Sequence, residues 1–347
     1  MTNRRNFIRQ VSAAAALAGV PGVLFSQNKP ENAKIWACLL HLSFNMWEEF
    51  ISPHRPFRGF RPDIQLSESL WNDAIRRMAD MGMNMLIIDL GDAVRYDSHP
   101  EIAVKNAWST ARLRKELRKI REAGLEPIPK LNFSAGHDTW LGEYSRMVST
   151  GKYYQVCSDL ITEVSSLFDK PRFFHIGMDE ESADNQSYYK YIVVRQNDVW
   201  WKDFYFLVNE VEKQNTRAWI WPDYMLWHHA DQFFAKMPKS VVQSNWYYGE
   251  NLDEKQKAVK AYLELEAYGY DQIPTGSFHS DNEKNILNTI QFCEKNLDQT
   301  RLLGFLQTFW KPTIEENRDR ILKGIELTGA AKKLTCAGER EVINTGI

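Results

Sequence analysis

A regular alternation of short apolar runs and amphipathic segments constrains this chain more than any other feature of its sequence. The apolar runs have the length of buried strands, and the segments between them repeat their apolar residues with the period of a helix. Eight strands are predicted, at residues 35–42, 83–90, 125–133, 173–178, 217–221, 240–246, 272–278 and 302–309. Because consecutive parallel strands need a helical crossover, this alternation indicates a parallel sheet.

The predicted helices follow the strands in turn, and capping residues and glycines mark their ends. They are a helix capped by Ser67 and ending at Gly82, helices over 110–123 and 153–168, a helix capped by Asp198, helices over 231–237 and 254–268, a helix capped by Asp281 or Asn282 and ending at Asn296, and a last helix over 315–332. A single-domain α/β fold, the closed (β/α)8 TIM barrel, is the simplest architecture for this pattern. An open doubly wound sheet is the alternative, but no glycine-rich phosphate turn surrounds the isolated Gly91.

The first residues have the pattern of an export signal rather than of a folded element. Arg4 and Arg5 precede a short apolar run with a polar exit, which predicts a twin-arginine-type signal peptide over residues 1–27. A membrane anchor is the alternative, although the run is short for a span and Pro21 and Gly22 interrupt it. We therefore expect a periplasmic or secreted protein that uses the twin-arginine export machinery and keeps no stable membrane span after processing. The barrel is predicted over residues 34–335, followed by a tail over 336–347.

The net charge, the cysteines and the aromatic residues indicate which ligands and partners the chain is suited to bind. A net charge of −2 does not steer the chain towards nucleic acid. The four cysteines lack metal-ligand spacing, and neither a metal nor another cofactor is predicted. Twelve tryptophans and fourteen tyrosines are many for a chain of this length, and part of this excess is expected in the core. Another part is expected to line a carbohydrate site, since the apolar faces of sugars pack on aromatic rings.

The fourth predicted strand ends in consecutive acids. An apolar stretch from Phe173 to Ile176 is followed by Gly177 and then by Asp179, Glu180 and Glu181. A buried, unpaired carboxylate is costly, so these acids must lie at the mouth of a cleft or in water. Neighbouring carboxylates raise each other's pKa, which suits a general acid. The alternative interpretation is a solvated acidic helix start.

In a TIM barrel the residues at the carboxyl ends of the strands face the active site. Here these positions carry polar and aromatic side chains, whereas the strand bodies are apolar. The resulting candidates are Asp89, Asp92, Lys130, Asn132, His175, Asp179, Glu180, Trp221, Asp223, Asn245, Trp246, Ser277, His279 and Trp310. This asymmetry predicts a functional cleft at one end of the barrel.

Two stretches resemble motifs of glycoside hydrolase family 20, the β-N-acetylhexosaminidases. The stretch from His175 to Glu180 is similar to the family's strand-four motif H-x-G-G-D-E. The stretch from Pro127 to His137 resembles its strand-three motif, in which Pro-Glu precedes Gly-His. Three tryptophans resemble those that follow strands five, six and eight: Trp221, Trp246 and Trp310. The resemblance spans the predicted barrel and is densest over strands three and four.

The resemblance implies a carbohydrate substrate or ligand and a role for each matching residue. Glu180 corresponds to the general acid that protonates the glycosidic oxygen. Asp179 corresponds to the carboxylate that orients the substrate's acetamido group, which attacks in place of an enzyme nucleophile. His137 would belong to the polar network around Glu180, and the tryptophans would wall the sugar pocket.

The chain departs from the family pattern in its sugar-recognition residues. Lys130 replaces the strand-three glutamate, and Met178 replaces the second glycine of the strand-four motif. Pro312 stands where the family has an acid after strand eight, and His279 follows strand seven where a tyrosine is expected. The family's strand-one arginine is missing, although the next loop offers three candidates: Arg55, Arg58 and Arg61.

Other functions stay open on the sequence alone. A barrel that binds carbohydrate without cleaving it would explain the altered recognition residues. Lys130 could instead form a Schiff base in a lyase or aldolase, although pairing with Asp89 or Asp179 is more ordinary. Asp89 or Asp223 could supply a second catalytic carboxylate. His175 is expected to be a hydrogen-bonded strand-end histidine rather than a metal ligand.

Overall fold

The structure is a computed structural model that describes residues 33–344, with side chains described to residue 335. Its main sheet contains eight parallel strands. They are β1 (Ile35–His41), β2 (Met85–Asp89), β3 (Glu126–Lys130), β4 (Phe173–Gly177), β5 (Arg217–Ile220), β6 (Val242–Gln243), β7 (Thr275–Ser277) and β8 (Gly304–Thr308). Each strand pairs with the next in sequence from β1 to β6, and β8 pairs with both β1 and β7. Single bridges from Gln243 to Gln272 and from Trp246 to Thr275 join β6 to β7 and close the ring. The predicted TIM barrel is confirmed.

The helices cover the outside of the ring. They are α1 (Glu68–Asp80), α2 (Thr110–Glu122), α3 (Gly151–Leu167), α4 (Asn197–Glu212), α5 (Asp223–Trp227), α6 (Ala230–Lys236), α7 (Lys257–Ala267), α8 (Asn285–Asn296) and α9 (Arg318–Asn344). The Ser67 hydroxyl caps α1 by accepting from the Leu70 amide, as predicted. The short helix α5 was not anticipated, and α9 runs twelve residues past its predicted end at 332, to Asn344.

Two predicted helix caps were wrong. Gln196 is the N-cap of α4, and Asp198 lies in the first turn, where its carboxylate pairs with Lys236 at 2.7 Å. Lys284 is the N-cap of α8. The Asn282 side chain closes a turn before that helix by accepting from the Lys284 amide at 3.2 Å. Asp198 pairs with a lysine instead of capping α4, and Asn282 hydrogen-bonds within a turn instead of capping α8.

Alternation along the strands divides the core into two layers. In β1, Ile35, Ala37 and Leu39 point into the barrel, and the intervening residues face the helices. The interior is filled by side chains from all parts of the ring: Met85, Ile87, Ile128, Phe173, Trp219, Val242, Ile273 and Leu306. Side chains therefore fill the interior of the barrel, and a ligand site can form only at the carboxyl ends of the strands.

The sequence predicted no stable membrane span after processing and a signal peptide at the start of the chain. No helix of the described part of the chain is long and apolar enough to cross a bilayer. The predicted signal segment over residues 1–27 lies outside the described residues.

A tight turn carries the chain from β4 into its acids. Gly177, Met178 and Glu180 all have positive φ, at 74°, 77° and 47°. A Cβ atom on Gly177 would lie 1.9 Å from Oδ1 of Asn132. Glycine is therefore needed here both for its backbone conformation and for the approach of the neighbouring loop.

We expect Gly177→Ala to lower the free energy of unfolding by more than the backbone strain of an alanine at positive φ would account for. Gly269 has nearly the same φ, 73°, and a Cβ atom added there would meet no neighbouring atom within 4 Å, so Gly269→Ala is a matched control. The control should cost about 1–2 kcal/mol of unfolding free energy. Gly177→Ala should cost at least ~3 kcal/mol, because the methyl group collides with Asn132. Urea denaturation measures both, and equal losses would contradict the steric argument.

Candidate active site

A cavity of about 170 Å³ opens at the carboxyl ends of the strands. It is lined by Trp47, Arg58, Asp179, Glu180, Trp221, Trp246, Tyr248, His279 and Trp310. The cavity is smaller than the ~300–1,000 Å³ of pockets for drug-sized ligands. It therefore suits a single ring rather than an extended chain.

The two acids of the strand-four motif both reach this cavity, but they are held differently. Asn132 Nδ2 donates to Asp179 Oδ1 at 2.7 Å, and the Asp179 side chain is only 10% exposed. The Glu180 side chain is 29% exposed, and no hydrogen bond to Asn132 restrains it. Asp179 is thus a fixed carboxylate, and Glu180 is the one with room to meet a ligand.

His137 lies between these two carboxylates. Its Nε2 atom is 3.4 Å from Asp179 Oδ2 and 3.3 Å from Glu180 Oε2. Burial by itself would lower the pKa of His137, but the two carboxylates outweigh it and raise the pKa. Trp47 meets the imidazole edge-on, with ring centroids 4.7 Å apart. His137 therefore links the acids to the aromatic wall.

The pKa of Glu180 is shifted in the direction opposite to the sequence-based expectation. Burial raises it, but contact with His137 and the positive charges of His137, Arg58 and Arg55 prevail, so the pKa is lowered from its usual value. The sequence indicated the neighbouring carboxylate and the apolar pocket, which favour protonation. It did not show that two arginines of a distant loop would lie close to Glu180.

A third carboxyl group belongs to this cluster. Asp223, at the start of α5, is buried, and it accepts hydrogen bonds from Nε1 of Trp246 at 2.9 Å and of Trp227 at 3.3 Å. Burial and the charges of Asp179 and Glu180 raise the pKa of Asp223 well above its usual range. Among the three carboxyl groups of this cluster, Asp223 is the one whose pKa is shifted upward.

Aromatic rings form most of the cavity wall. Trp310 packs against Trp221 and Trp47 with centroid distances of 5.7 Å and 5.9 Å. Trp246 stacks on Tyr248 at 4.9 Å, and Trp310 Nε1 donates to the Tyr248 hydroxyl at 2.9 Å. Trp47 and Tyr248 were missed by sequence analysis. Tyr248 follows Trp246 by two positions, a spacing that places side chains on the same side of an extended chain and could have identified it.

The loop after β1 brings Trp47 and Arg58 to the cavity, and a buried network holds it. Asp92 accepts from Ser43 Oγ at 2.6 Å and from Asn45 Nδ2 at 2.8 Å. Asn45 also exchanges two hydrogen bonds with the main chain of Arg61, at 2.7 Å and 2.8 Å. Burial raises the pKa of Asp92 to about 7. Asp92, a predicted strand-end residue, thus positions the loop rather than lining the cavity.

Three predicted binding residues do not line the cavity but contact residues that do: Asn132, His137 and Asp223. Four others neither line the cavity nor contact its acids: Asp89, Lys130, His175 and Asn245. Lys130 Nζ pairs with Asp89 Oδ2 at 2.5 Å, and both side chains are almost fully buried. His175 Nδ1 accepts from the Gly177 amide at 3.1 Å, and Asn245 Nδ2 donates to the Ala258 carbonyl at 2.7 Å. These contacts hold the four side chains away from the cavity lining, and His175 Nε2 and Asn245 Oδ1 are buried without a hydrogen-bond partner among the described residues.

The third consecutive acid has a structural role. Glu181 is buried and pairs with Arg195, whose Nη2 lies 2.7 Å from Glu181 Oε2. The same guanidinium reaches Asp203 at 3.2 Å, and the Ala135 amide donates to Glu181 at 3.1 Å. This network ties the loop after β4 to α4 and to the loop after β3. It therefore restrains the segments that carry the acids and His137.

No family model and no curated protein matches the chain. Solved structures do. The family 20 β-N-acetylhexosaminidase from Streptomyces coelicolor A3(2) aligns with a TM-score of 0.58 at 14% identity, over 85% of this chain and 64% of that chain. The family 20 exo-β-N-acetylglucosaminidase from Vibrio harveyi, in complex with N-acetylglucosamine, aligns with a TM-score of 0.55 at 12% identity, over 85% and 54%. The Flavobacterium johnsoniae chitobiase gives 0.56 at 16%, over 83% and 47%.

The chain spans less than two thirds of the length of each of these structures. At such identities the likeness shows the fold. The chain has the same barrel architecture as these hexosaminidases.

Proposed function

We propose that this protein is a glycoside hydrolase that takes one sugar ring into the cavity and uses Glu180 as its acid and base. The observation that carries the proposal is the pairing of Asp179 and Glu180 around His137 in a small cavity walled by tryptophans. The barrel shared with hexosaminidases and the two sequence motifs support it. An aromatic wall suits the apolar face of a sugar, and a carboxyl pair suits cleavage of its glycosidic bond.

The two acids divide the chemistry according to how they are held. Glu180, the more exposed, donates its proton to the glycosidic oxygen as the bond from that oxygen to the anomeric carbon breaks. Asp179, fixed by Asn132, accepts a hydrogen bond from the substrate's acetamido N–H while the acetamido oxygen bonds to the anomeric carbon. Glu180 then removes a proton from water, which attacks the anomeric carbon while the bond from that carbon to the acetamido oxygen breaks, so the acetamido group is restored and the sugar is released.

The lowered pKa of Glu180 applies to the cavity without a sugar. A bound ring displaces water from the carboxylate, and further desolvation favours its protonated form. Binding of the substrate is thus expected to raise the pKa of Glu180 towards the value that acid catalysis needs.

We expect Glu180→Gln to lower kcat by about 10²–10⁴-fold, because the amide cannot deliver a proton. The loss should be larger for alkyl glycosides than for nitrophenyl glycosides, whose leaving group needs less protonation. Glu250→Gln is the matched control, since Glu250 is half-exposed and pairs with Lys284 at 2.7 Å on the surface. Kinetics with both classes of β-N-acetylglucosaminide measure the effect, and unchanged turnover by Glu180→Gln would remove the proposal.

The pH profile gives an independent test. Glu180 must be protonated to act as the acid, so kcat/KM should fall as the pH rises through the pKa of Glu180. The positive charge of Arg58 lowers this pKa, so Arg58→Gln should raise it and move the alkaline limb of kcat/KM to higher pH. Arg61→Gln makes the same charge change in the same loop away from the cavity and should leave the limb in place. A limb that does not move in Arg58→Gln would contradict the assignment of Glu180.

A barrel that binds carbohydrate without cleaving it is the second candidate. The lowered pKa of Glu180 favours it, because an ionised carboxylate accepts hydrogen bonds from sugar hydroxyls but does not donate a proton. Saturable binding of N-acetylglucosamine by wild-type protein, with no cleavage of any aryl glycoside, would support this alternative. The buried pairing of Lys130 with Asp89 gives no support to a Schiff-base lyase or aldolase.

We also propose that the protein is exported through the twin-arginine pathway, on the basis of residues 1–27 alone. Replacing both arginines, Arg4→Lys together with Arg5→Lys, should leave the full chain in the cytoplasm. Cell fractionation followed by immunoblotting measures this. Arg9→Lys is the control within the same segment, and export of the double variant at the normal level would contradict the proposal.

A further inference from the structure

The cavity wall contains one cation, Arg58, that forms no ion pair with the residues the structure describes. The Arg58 guanidinium lies over the Trp47 ring, with its central carbon 4.1 Å from the ring centroid. Its Nε atom is buried and has no hydrogen-bond partner within residues 33–335. Among the described residues, neither Glu180 nor Glu48, the acids whose charges act on Arg58, reaches ion-pair distance. Arg58 is therefore held in place by an aromatic ring while its donors stay available.

A second cation, Lys311, likewise lies over an aromatic ring and has no ion pair with the described residues. Lys311, next to the cavity residue Trp310, places its Nζ atom 4.2 Å from the centroid of the Phe57 ring. Within the described part of the chain, its ammonium group has no hydrogen bond or ion pair in the structure. Burial and the charges of Arg320 and Arg58 lower the pKa of Lys311, so these cations act on one another. Arg58 lines the cavity, and Lys311 lies close enough for its charge to act on the cavity residue His279.

The acids around this wall act on the two cations without forming an ion pair with either: Glu180 and Glu48 act on Arg58, and Asp281 acts on Lys311. Arg320 is already paired with Asp281 at 2.9 Å. Burial, followed by the charges of Lys311, Arg320 and Arg58, lowers the pKa of His279, so this ring is neutral near neutral pH. Protonation of Glu180 for acid catalysis would remove one more negative charge. A neutral ligand would consequently desolvate Arg58 without giving it a counter-charge, which is costly.

We propose that the sugar ring bound in this cavity carries an anionic oxygen group, a carboxylate or a sulfate ester, that pairs with Arg58 and is attracted by Lys311. This inference rests on the proposed function for the identity of the ligand as a sugar. The planar guanidinium offers paired N–H donors that match the oxygens of either group. After β8 the chain continues as Trp310-Lys311-Pro312, without an acid that would repel such a group.

The anion would also couple binding to catalysis. The charge of Arg58 favours the ionised form of Glu180, so neutralising that charge raises the pKa of Glu180. An anionic substrate therefore promotes protonation of the acid that cleaves it. A neutral sugar of the same size lacks this effect.

Equilibrium binding of three sugars to the wild-type protein tests the inference. Isothermal titration should give a dissociation constant at least about tenfold lower for N-acetylglucosamine 6-sulfate, or for 2-acetamido-2-deoxyglucuronic acid, than for N-acetylglucosamine. A preference for the sulfate alone or for the carboxylate alone identifies the source of the anion. Raising the salt concentration should reduce the preference, since screening weakens the charge interaction.

Two variants connect the preference to its residues. Arg58→Gln should abolish the preference for the anionic sugar, and Lys311→Gln should reduce it. Arg61→Gln removes a hydrogen bond at 3.0 Å to the Pro56 carbonyl and so loosens the same loop, but it leaves the charge of Arg58 in place. It should therefore keep the preference. Equal affinity for neutral and anionic sugars, no measurable binding of either anionic sugar, or a preference that survives Arg58→Gln would each overturn the inference.

The two proposals fail in different ways. Cleavage of neutral N-acetylglucosaminides that depends on Glu180, without a preference for anionic sugars, would leave the hydrolase proposal and remove this inference. Tight, Arg58-dependent binding of an anionic sugar without cleavage of any glycoside, neutral or anionic, would do the reverse.

Discussion

The site depends on one side-chain amide. Asn132 Oδ1 accepts from the amides of Ser134 at 3.1 Å and Met178 at 3.3 Å, and its Nδ2 donates to Asp179 at 2.7 Å. These bonds tie the end of β3 to the turn after β4 and set the direction of the first acid. Such a turn fits only where Gly177 gives Asn132 room. A buried amide with its donor and acceptor groups in use holds a single orientation, so Asp179 is positioned before any ligand arrives.

Three consecutive acids have three different environments after this turn. Asp179 is fixed by Asn132, Glu180 extends into the cavity, and Glu181 is locked by Arg195 inside the protein. The local sequence is almost uniform in charge, so the difference comes from the elements packed around each residue. Environment rather than residue type separates a structural carboxylate from one that is available for chemistry.

The electrostatics of the cavity are unbalanced in a way that a ligand can correct. Burial and the charges of two carboxylates raise the pKa of Asp223, whereas His137 and the charges of two arginines lower the pKa of Glu180. Arg58 has no ion pair with any described residue. Because the charge of Arg58 acts on Glu180, a group that neutralised Arg58 would raise the pKa of Glu180.

Local sequence patterns were enough to predict the barrel and the end at which its cavity opens. Strand and helix periods are local, and the carboxyl ends of parallel strands always meet at one face, so Asp179, Glu180, Trp221, Trp246 and Trp310 could be predicted. Which polar strand ends face the cavity depends on tertiary contacts. Lys130 and Asp89, for example, form a buried ion pair with each other. Tertiary contacts also bring Trp47 and Arg58 to the cavity. Both residues lie in a long loop whose sequence has neither the helix nor the strand period of apolar residues. Contacts between segments far apart in the chain set the pKa of Glu180, and no local pattern encodes such contacts.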